Sequence, residues 1–308
     1  MRHRQSLSPR LATLARQQAG VLTTAQLLDG GLTHRVIHRM AQEWQQPCRG
    51  VYLTSEPSWE TAAWAGILRA GDAAVVTGHA AAYLHKLIPD PPQSIVIAGA
   101  KQLAPLLIGG RLVSFRRISR AGMGSPSRAL IEAAIVDMER DGGEDDVVAA
   151  LACALAENKT TAERVLGEVG GRKRTAHSTT LRTLCRQAMK GIESALEWRF
   201  HQVLVRHGLP IPERQTRTEA GRVDGLYREA GLVVELDGLR FHNSPGRDAM
   251  RDNENLIASE LHTLRYVWGN VVRDACSTAS QVERALLKWG WRGEMRRCRV
   301  CPPEASTN

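Results

Sequence analysis

The stretch GRVDGLYREAGLVVELDG at residues 221–238 constrains the fold more than any other part of the chain. Two runs rich in strand-forming residues flank the turn signal REAG, and this pattern predicts a β-hairpin. Because side chains alternate between the two faces of a strand, Glu235 and Asp237 share one face of the second strand, while Val234 faces a core. Asp224 lies on the partner strand, so the hairpin brings three carboxylates towards one surface.

Three carboxylates on one surface predict a site for a divalent cation. A strand that places two carboxylates on one half-buried face needs a cation or a basic partner to offset the cost of burying charge. Carboxylate oxygens suit Mg²⁺ or Mn²⁺, and such an ion can activate water for phosphodiester hydrolysis. We therefore expect Asp224, Glu235 and Asp237 to hold Mg²⁺ or Mn²⁺ in a nuclease.

The helix before the hairpin contributes a further candidate. The sequence GIESALEWRFHQVLVRHGL has apolar residues at helical spacing, and Gly208 stands past its end. Glu197 has two interpretations: it can join the acidic site, or it can complete a capping box with Ser194 at the start of the helix. Both interpretations stay open at the level of sequence.

The spacing Asp-x(10)-Glu-x-Asp and the pattern ELDGLRFH…RD..R resemble the PD-(D/E)XK superfamily, and more closely its Vsr-like endonucleases, over residues 190–290. The resemblance implies a restriction-endonuclease-like α/β domain and a divalent-metal-dependent DNA endonuclease. It also implies that the run HTLRYVW is a core strand following the site. The catalytic residues that it implies are Glu197, Asp224, Glu235, Asp237, His242, Arg247 and Arg251.

The chain departs from the superfamily at one position. Asp237 stands where the superfamily has a lysine, and an aspartate cannot donate the positive charge that stabilises a developing oxyanion. Arg247 or Arg251 can replace that charge if the helix that carries them leans over the site. Alternatively, Asp248 and Arg251 form only a surface ion pair, His242 is a loop histidine that binds nothing, and the domain binds DNA without cutting it.

Residues 1–55 predict three short helices and a hairpin in helix-turn-helix order. Thr24 is expected to cap the second helix and Thr33 the third, HRVIHRMAQE, which is followed by the wing strand RGVYL. A recognition helix turns its polar face to the DNA groove, although any short surface helix also has a charged face. The candidate DNA-binding residues are His34, Arg35, His38, Arg39 and Arg49.

The same segment resembles the N-terminal winged-helix domain of AbiEi-type antitoxins. Residues that match the antitoxin pattern are Leu22, Thr23, Gln26, Gly31, Leu32, Ile37, Arg39, Arg49, Gly50, Val51 and Tyr52. The resemblance implies binding to double-stranded DNA, and it points to a cognate toxin as a protein partner. A comparable middle region follows the winged helix in such proteins, so residues 60–188 are expected to be a connector or an interaction surface.

Patterns along the chain predict a multidomain α/β protein. Mixed helix and strand signals follow the first domain, and helical patterns broken by glycine pairs come after them. We expect five parts: a winged helix-turn-helix at 1–58, a small α/β module at 59–122, a helical connector at 123–188, a nuclease-like domain at 189–291 and a basic tail at 292–308.

The net charge of +9 and a pI near 9.6 favour an anionic partner, and double-stranded DNA is the first candidate. No apolar run reaches the ~20 residues that span a bilayer, and the basic start lacks the apolar core of a signal peptide. We therefore expect a cytoplasmic protein without a membrane partner, whose six scattered cysteines are reduced. Cys298 and Cys301 form a C-x-x-C without a second ligand pair, so the sequence does not predict zinc there.

These patterns favour a DNA-binding protein with a metal-dependent endonuclease domain. The alternative is a non-catalytic regulator, similar to AbiEi-type antitoxins, that represses its own promoter while its nuclease-like domain is degenerate. A phosphate-binding enzyme for small molecules is disfavoured, because no glycine-rich loop both follows a strand and opens a helix. The DNA target and the oligomeric state do not follow from the sequence.

Overall fold

The computed structural model describes the chain at residues 7–140, 142–172, 177–189, 192–219, 221–237 and 261–301. It is a mixed α/β protein, as the sequence predicts. The chain forms two compact units, Met1–Gly142 and Gly143–Asn308. Within the described ranges, no helix is both long enough and apolar enough to cross a membrane. The finer division into five parts stays a prediction.

The first unit begins with three helices and a small antiparallel sheet. The elements are α1 (Pro9–Gln17), β1 (Val21–Thr23), α2 (Thr24–Asp29), α3 (His34–Met40), β2 (Gln45–Cys48) and β3 (Val51–Leu53). β3 is the central strand, between β1 and β2. The three helices and the strand in RGVYL are confirmed, whereas β1 is a strand that the sequence patterns did not indicate.

Side-chain caps define where α2 and α3 begin. Thr33 caps α3 as predicted, because its hydroxyl accepts the N–H of Val36 at 3.4 Å. The predicted cap of α2 is wrong by one residue, since the N-cap is Thr23 and not Thr24. Thr23 accepts the N–H of Gln26 at 3.2 Å, and Gln26 Oε1 accepts the N–H of Thr23 at 2.9 Å. This reciprocal pair is a capping box, which a glutamine at the third helical position can complete.

A small apolar core holds these helices to the sheet. Ile37, which is 2% exposed, is the buried residue of α3. The buried members of this core are Leu11, Ala15, Leu22, Leu27, Ile37 and Tyr52. Because Ile37 points inwards, the basic residues of α3 lie on its outer face.

A six-stranded sheet and three further helices complete the first unit. The elements are α4 (Trp59–Ala70), β4 (Val75–Thr77), α5 (Gly78–Leu84), β5 (Ser94–Gly99), β6 (Leu106–Ile108), β7 (Arg111–Arg117), β8 (Gly122–Met123), β9 (Arg128–Ala129) and α6 (Ile131–Met138). The strand order is β6-β7-β5-β4-β9-β8. The predicted helix SRALIEAAIVDM begins later than expected, because its first residues form β9 and pair with β4 and β8.

The second unit combines helices with a four-stranded sheet. The elements are α7 (Glu144–Ala156), α8 (Ala162–Gly170), α9 (Ser178–Met189), α10 (Ile192–His207), β10 (Glu213–Thr218), β11 (Gly221–Tyr227), β12 (Leu232–Asp237), β13 (His262–Val267) and α11 (Ala275–Lys288). The strand order is β10-β11-β12-β13, with antiparallel pairs except for the parallel pair β12–β13. The predicted hairpin is confirmed, and Gly231 at φ 56° closes its turn.

β12 lies inside the sheet. The sequence predicts one core face and one half-buried face that carries the carboxylates, but both faces are buried in the structure. Val233 and Val234 are 0% and 1% exposed, so both faces of the strand are covered rather than one. The physical reason is that α10 packs against the strand, and Val233 belongs to an apolar cluster with Val223 and Leu226 of β11. Glu235 is therefore buried, at 4% exposed.

Two contacts fix α10 within the second unit. The ring of Phe200 stacks on Tyr266 of β13, with the ring centroids 5.7 Å apart. Arg199, only 2% exposed, forms a salt bridge with Asp145 of α7. The helix is thereby held with Glu197 beside β10, where it meets the other acidic residues.

Candidate functional site

One amide group links two of the predicted site carboxylates. Gln215 Nε2 donates to Glu197 Oε1 at 2.6 Å and to Asp224 Oδ1 at 3.1 Å. The register of β10 and β11 places Gln215 opposite Asp224. Gln215 also has a φ of 51°, a left-handed conformation that is costly for a residue with a side chain and that clusters at functional sites.

The second oxygen of Asp224 binds the neighbouring strand. Asp224 Oδ2 accepts the backbone N–H of Leu236 at 2.8 Å. The backbone pairing of β11 with β12 runs from Tyr227 to Gly225, and one step further in the same register Asp224 faces Glu235. The carboxylate of Asp224 is therefore held beside position 235 by a bond to the backbone.

Asp237 forms an ion pair with an arginine that sequence reasoning missed. Arg265 Nη1 donates to Asp237 Oδ1 at 3.0 Å and to Asp237 Oδ2 at 2.9 Å. In the parallel pair of β12 and β13, Arg265 lies opposite Glu235. Parallel strands are joined by a crossover whose length does not fix their register, so no spacing in the sequence indicates this pairing.

Glu197 faces the strands rather than solvent. Its Oε2 accepts from Arg214 Nη2 at 2.8 Å, its Oε1 accepts from Gln215, and its side chain is 13% exposed. Both oxygens thus bind residues of β10, which favours the site interpretation over the capping box. The side chain of Ser194 lies outside the described residues.

The site is described in part. His242, Arg247, Asp248 and Arg251 lie outside the described residues, so their roles stay predictions. The described side chains, which we call the acidic cluster, are Glu197, Gln215, Asp224, Glu235, Asp237 and Arg265. Sequence reasoning named the four carboxylates but neither Gln215 nor Arg265.

The predicted DNA-binding residues lie at the surface of the first unit. Those of α3 are exposed, and the last stands in the turn between β2 and β3. These exposed residues are His34, Arg35, His38, Arg39 and Arg49. Their placement permits contact with a phosphate backbone, and the role itself stays a prediction.

A second set of metal-ligating side chains lies elsewhere in the second unit. In the part of the chain that the structure describes, one group of His, Cys, Asp or Glu residues has its ligand atoms all within 4.8 Å of one another: His207, Cys276, Cys298 and Cys301. Sequence reasoning set the C-x-x-C aside because two more ligands were missing. His207 and Cys276 come from two different helices, and only the tertiary fold reveals that they are close.

Comparison with known proteins adds no family to these observations. No protein-family model matches the chain, and no curated protein matches it. Its function is therefore inferred from the geometry and chemistry of its own residues.

Proposed function

We propose that this chain is a DNA-binding protein whose second unit hydrolyses a phosphodiester bond with Mg²⁺ or Mn²⁺. The observation that carries the proposal is that Glu197 and Asp224 both accept from the amide nitrogen of Gln215. Glu235 stands opposite Asp224 one step further in the register of β11 and β12. Three carboxylates from a helix and two strands form an oxygen donor set that suits a hard divalent cation. The resemblance to the PD-(D/E)XK superfamily implies catalytic roles for these three residues. The metal ligands predicted from the hairpin were Asp224, Glu235 and Asp237; in the present proposal Glu197 takes the place of Asp237, which is bound to Arg265.

The residues present fit such an ion. Gln215 Nε2 lies between two carboxylates as a hydrogen-bond donor, at a place where the negative charge of both groups also favours a cation. Glu197, Asp224 and Glu235 would hold the ion, with Gln215 giving up one of its two bonds. A bound Mg²⁺ or Mn²⁺ would activate water and neutralise the charge that develops on the phosphate.

Arg265 is the proposed source of the positive charge that the superfamily takes from a lysine. Asp237 occupies the lysine position and binds the Arg265 guanidinium through both of its oxygens. A guanidinium stays charged at any physiological pH and has five N–H donors. In this proposal Asp237 positions Arg265 within the acidic cluster, opposite Glu235, and Arg265 stabilises the oxyanion. Arg247 and Arg251 stay further candidates for that role.

The first unit is proposed to dock on duplex DNA as a winged helix. α3 follows α2 across a short glycine-containing turn, and the β2–β3 hairpin comes after it. That order, together with the exposed basic face of α3, is what groove docking requires. Arg49 in the hairpin turn would then contact the phosphate backbone.

A second candidate function is that of a non-catalytic regulator. The observation that favours it is the ion pair of Asp237 and Arg265, because the charge of the arginine is balanced inside the cluster. A gel with supercoiled plasmid, Mg²⁺ or Mn²⁺ and an EDTA control separates the two functions. Ion-dependent cutting supports the nuclease, whereas binding without cutting supports an autorepressor that resembles AbiEi-type antitoxins.

A further inference from the structure

A cluster of one histidine and three cysteines lies where two helices meet the C-terminal segment. His207 is the last residue of α10, Cys276 lies in the first turn of α11, and Cys298 and Cys301 belong to the segment after α11. The Sγ atoms of Cys276 and Cys298 are 3.5 Å apart, and those of Cys298 and Cys301 are 3.7 Å apart. His207 Nε2 lies 3.7 Å from Cys301 Sγ.

These separations fit a tetrahedral zinc ion. Ligands at Zn–S of about 2.3 Å and Zn–N of about 2.0 to 2.1 Å in tetrahedral arrangement place two sulfurs about 3.8 Å apart, and sulfur and nitrogen about 3.6 Å apart. Three of the six separations among the four ligand atoms are 3.5 to 3.7 Å, close to both values, and all six lie within 4.8 Å. A disulfide needs sulfur atoms about 2.0 Å apart, and the three cysteines are free thiols.

The histidine is already oriented as a ligand. His207 is 0% exposed, and its Nδ1 lies 2.8 Å from the carbonyl oxygen of Val203, one turn earlier in α10. A carbonyl can only accept, so Nδ1 carries a proton, and Nε2 is the nitrogen left to bind an ion. Nε2 faces the cysteines. Metal-binding histidines are commonly fixed in this way by a hydrogen bond from the nitrogen that does not bind the ion.

The C-x-x-C turn has the backbone geometry of a ligand loop. The N–H of Cys301 donates to the carbonyl of Cys298 at 3.1 Å, which folds the turn so that both sulfurs point the same way.

The segment that carries this turn has no regular secondary structure of its own. Residues 291–298 form neither helix nor strand, and Val300 is 71% exposed. Three described backbone bonds attach the segment: the N–H of Trp291 donates to the carbonyl of Leu286 at 2.9 Å, that of Met295 to Glu283 at 2.8 Å, and that of Arg296 to the carbonyl of His207 at 2.7 Å. A segment with so little buried apolar surface needs a cross-link to stay in place.

We propose that His207, Cys276, Cys298 and Cys301 form a structural Zn²⁺ site that fastens the C-terminal segment to α10 and α11. Soft sulfur ligands with one imidazole select Zn²⁺ over Mg²⁺ or Mn²⁺. Four protein ligands close the coordination shell, which is the mark of a structural site rather than a catalytic one. This site is separate from the acidic cluster in both its residues and its preferred metal.

Metal analysis of the full-length protein, purified without chelators, tests the proposal. We expect about one zinc ion per chain in the wild type, as a closed four-ligand site requires. Cys298→Ser and His207→Ala should lose the zinc and lower the melting temperature. Cys153→Ser is the matched control, since Cys153 is a partly buried cysteine of the same unit outside the cluster, and it should keep the full zinc content.

Three results would overturn the proposal. One is wild-type protein that holds no zinc even after incubation with Zn²⁺. Another is a thiol count two short of the six in the sequence, which would show a disulfide instead. The third is equal zinc loss in Cys153→Ser. If the ligand variants fail to fold, exchange of wild-type protein with Co²⁺ decides the question, because thiolate ligands give sulfur-to-cobalt charge-transfer absorption. None of these readouts depends on whether the second unit cuts DNA.

Discussion

Asp224 Oδ2 accepts the backbone N–H of Leu236 at 2.8 Å, and this bond ties the acidic cluster to the backbone of β12. The backbone pairing of β11 with β12 covers Gly225 to Tyr227 and does not include Asp224. At position 224 the side-chain carboxylate accepts the N–H that a strand carbonyl would otherwise accept. One side chain therefore has a structural role and a proposed chemical role. Substitutions at position 224 can separate the two.

Asp224→Asn should abolish metal-dependent DNA cleavage while the protein still folds. The amide oxygen of asparagine can still accept the N–H of Leu236, but its NH2 group cannot accept from Gln215, so we expect a loss in the free energy of unfolding that is smaller than for Asp224→Ala. Asp224→Ala leaves that part-buried N–H without its acceptor and should cost about 1 to 3 kcal/mol. Both variants should lose Mn²⁺ binding in calorimetric titration. Urea unfolding compares their stabilities, and equal stability of the two variants would contradict the structural role.

Arg265→Ala should slow DNA cleavage by about 10² to 10³-fold, because it removes one preorganised donor to a developing oxyanion. The stability loss should be about 1 to 3 kcal/mol, because Asp237, whose side chain is 16% exposed, loses a charged hydrogen-bond partner. Arg228→Ala is the control: it breaks a surface ion pair with Glu213 in the same sheet and should leave the rate unchanged. Wild-type cleavage by Arg265→Ala would remove Arg265 from the mechanism.

The double variant Arg35→Ala and Arg39→Ala should bind duplex DNA with a weaker salt dependence. Each phosphate contact contributes about 0.9 to the slope of log K against log salt, so losing two contacts should flatten the slope by up to about 1.8. Arg117→Ala, which removes an exposed arginine of β7, should not change it. Fluorescence anisotropy over a salt series measures both. An unchanged slope in the double variant would exclude α3 as the recognition helix.

Asp145→Asn should destabilise the second unit far more than Arg206→Ala. Asp145 pairs with both Arg199 and Arg206, but Arg199 is 2% exposed and Arg206 is 34% exposed. Removing the partner of a buried charge costs about 3 kcal/mol or more, whereas losing an exposed pair costs about 1 kcal/mol or less. Urea unfolding of the two variants checks this difference. Similar losses would mean that Arg199 does not depend on Asp145.

Local patterns predicted the elements that carry the acidic cluster. The hairpin followed from alternation and the turn REAG, and the helix ending at His207 followed from its apolar spacing. Both signals come from residues near one another in the chain, where periodicity and turn chemistry apply directly. The run HTLRYVW was predicted to be a core strand from its resemblance to the Vsr-like family. Its pairing with β12 confirms the strand, but β13 is the last strand in the described sheet and Tyr266 is its one buried residue, so it is not a core strand.

The partners of the carboxylates could not be predicted in this way. Gln215 lies in the polar run ERQTRT, whose composition gives no strand alternation, so its position opposite Asp224 follows only from the pairing of β10 and β11. The proximity of Arg265 to Asp237 depends on the register of the parallel strands β12 and β13. His207 and Cys276 reach the C-x-x-C through the packing of α10 and α11. Each of these proximities is a product of tertiary structure.

Plasmid cleavage by the wild type beside Asp224→Asn tests the nuclease proposal most directly. The two proteins, purified identically so that a contaminating nuclease would appear in both, are incubated with supercoiled plasmid in Mg²⁺, in Mn²⁺ and in EDTA. We expect the wild type to produce nicked or linear DNA with Mg²⁺ or Mn²⁺ but not with EDTA. Asp224→Asn should leave the plasmid intact and still bind DNA. If the wild type cuts under neither ion, or if Asp224→Asn cuts at the wild-type rate, the nuclease proposal is wrong.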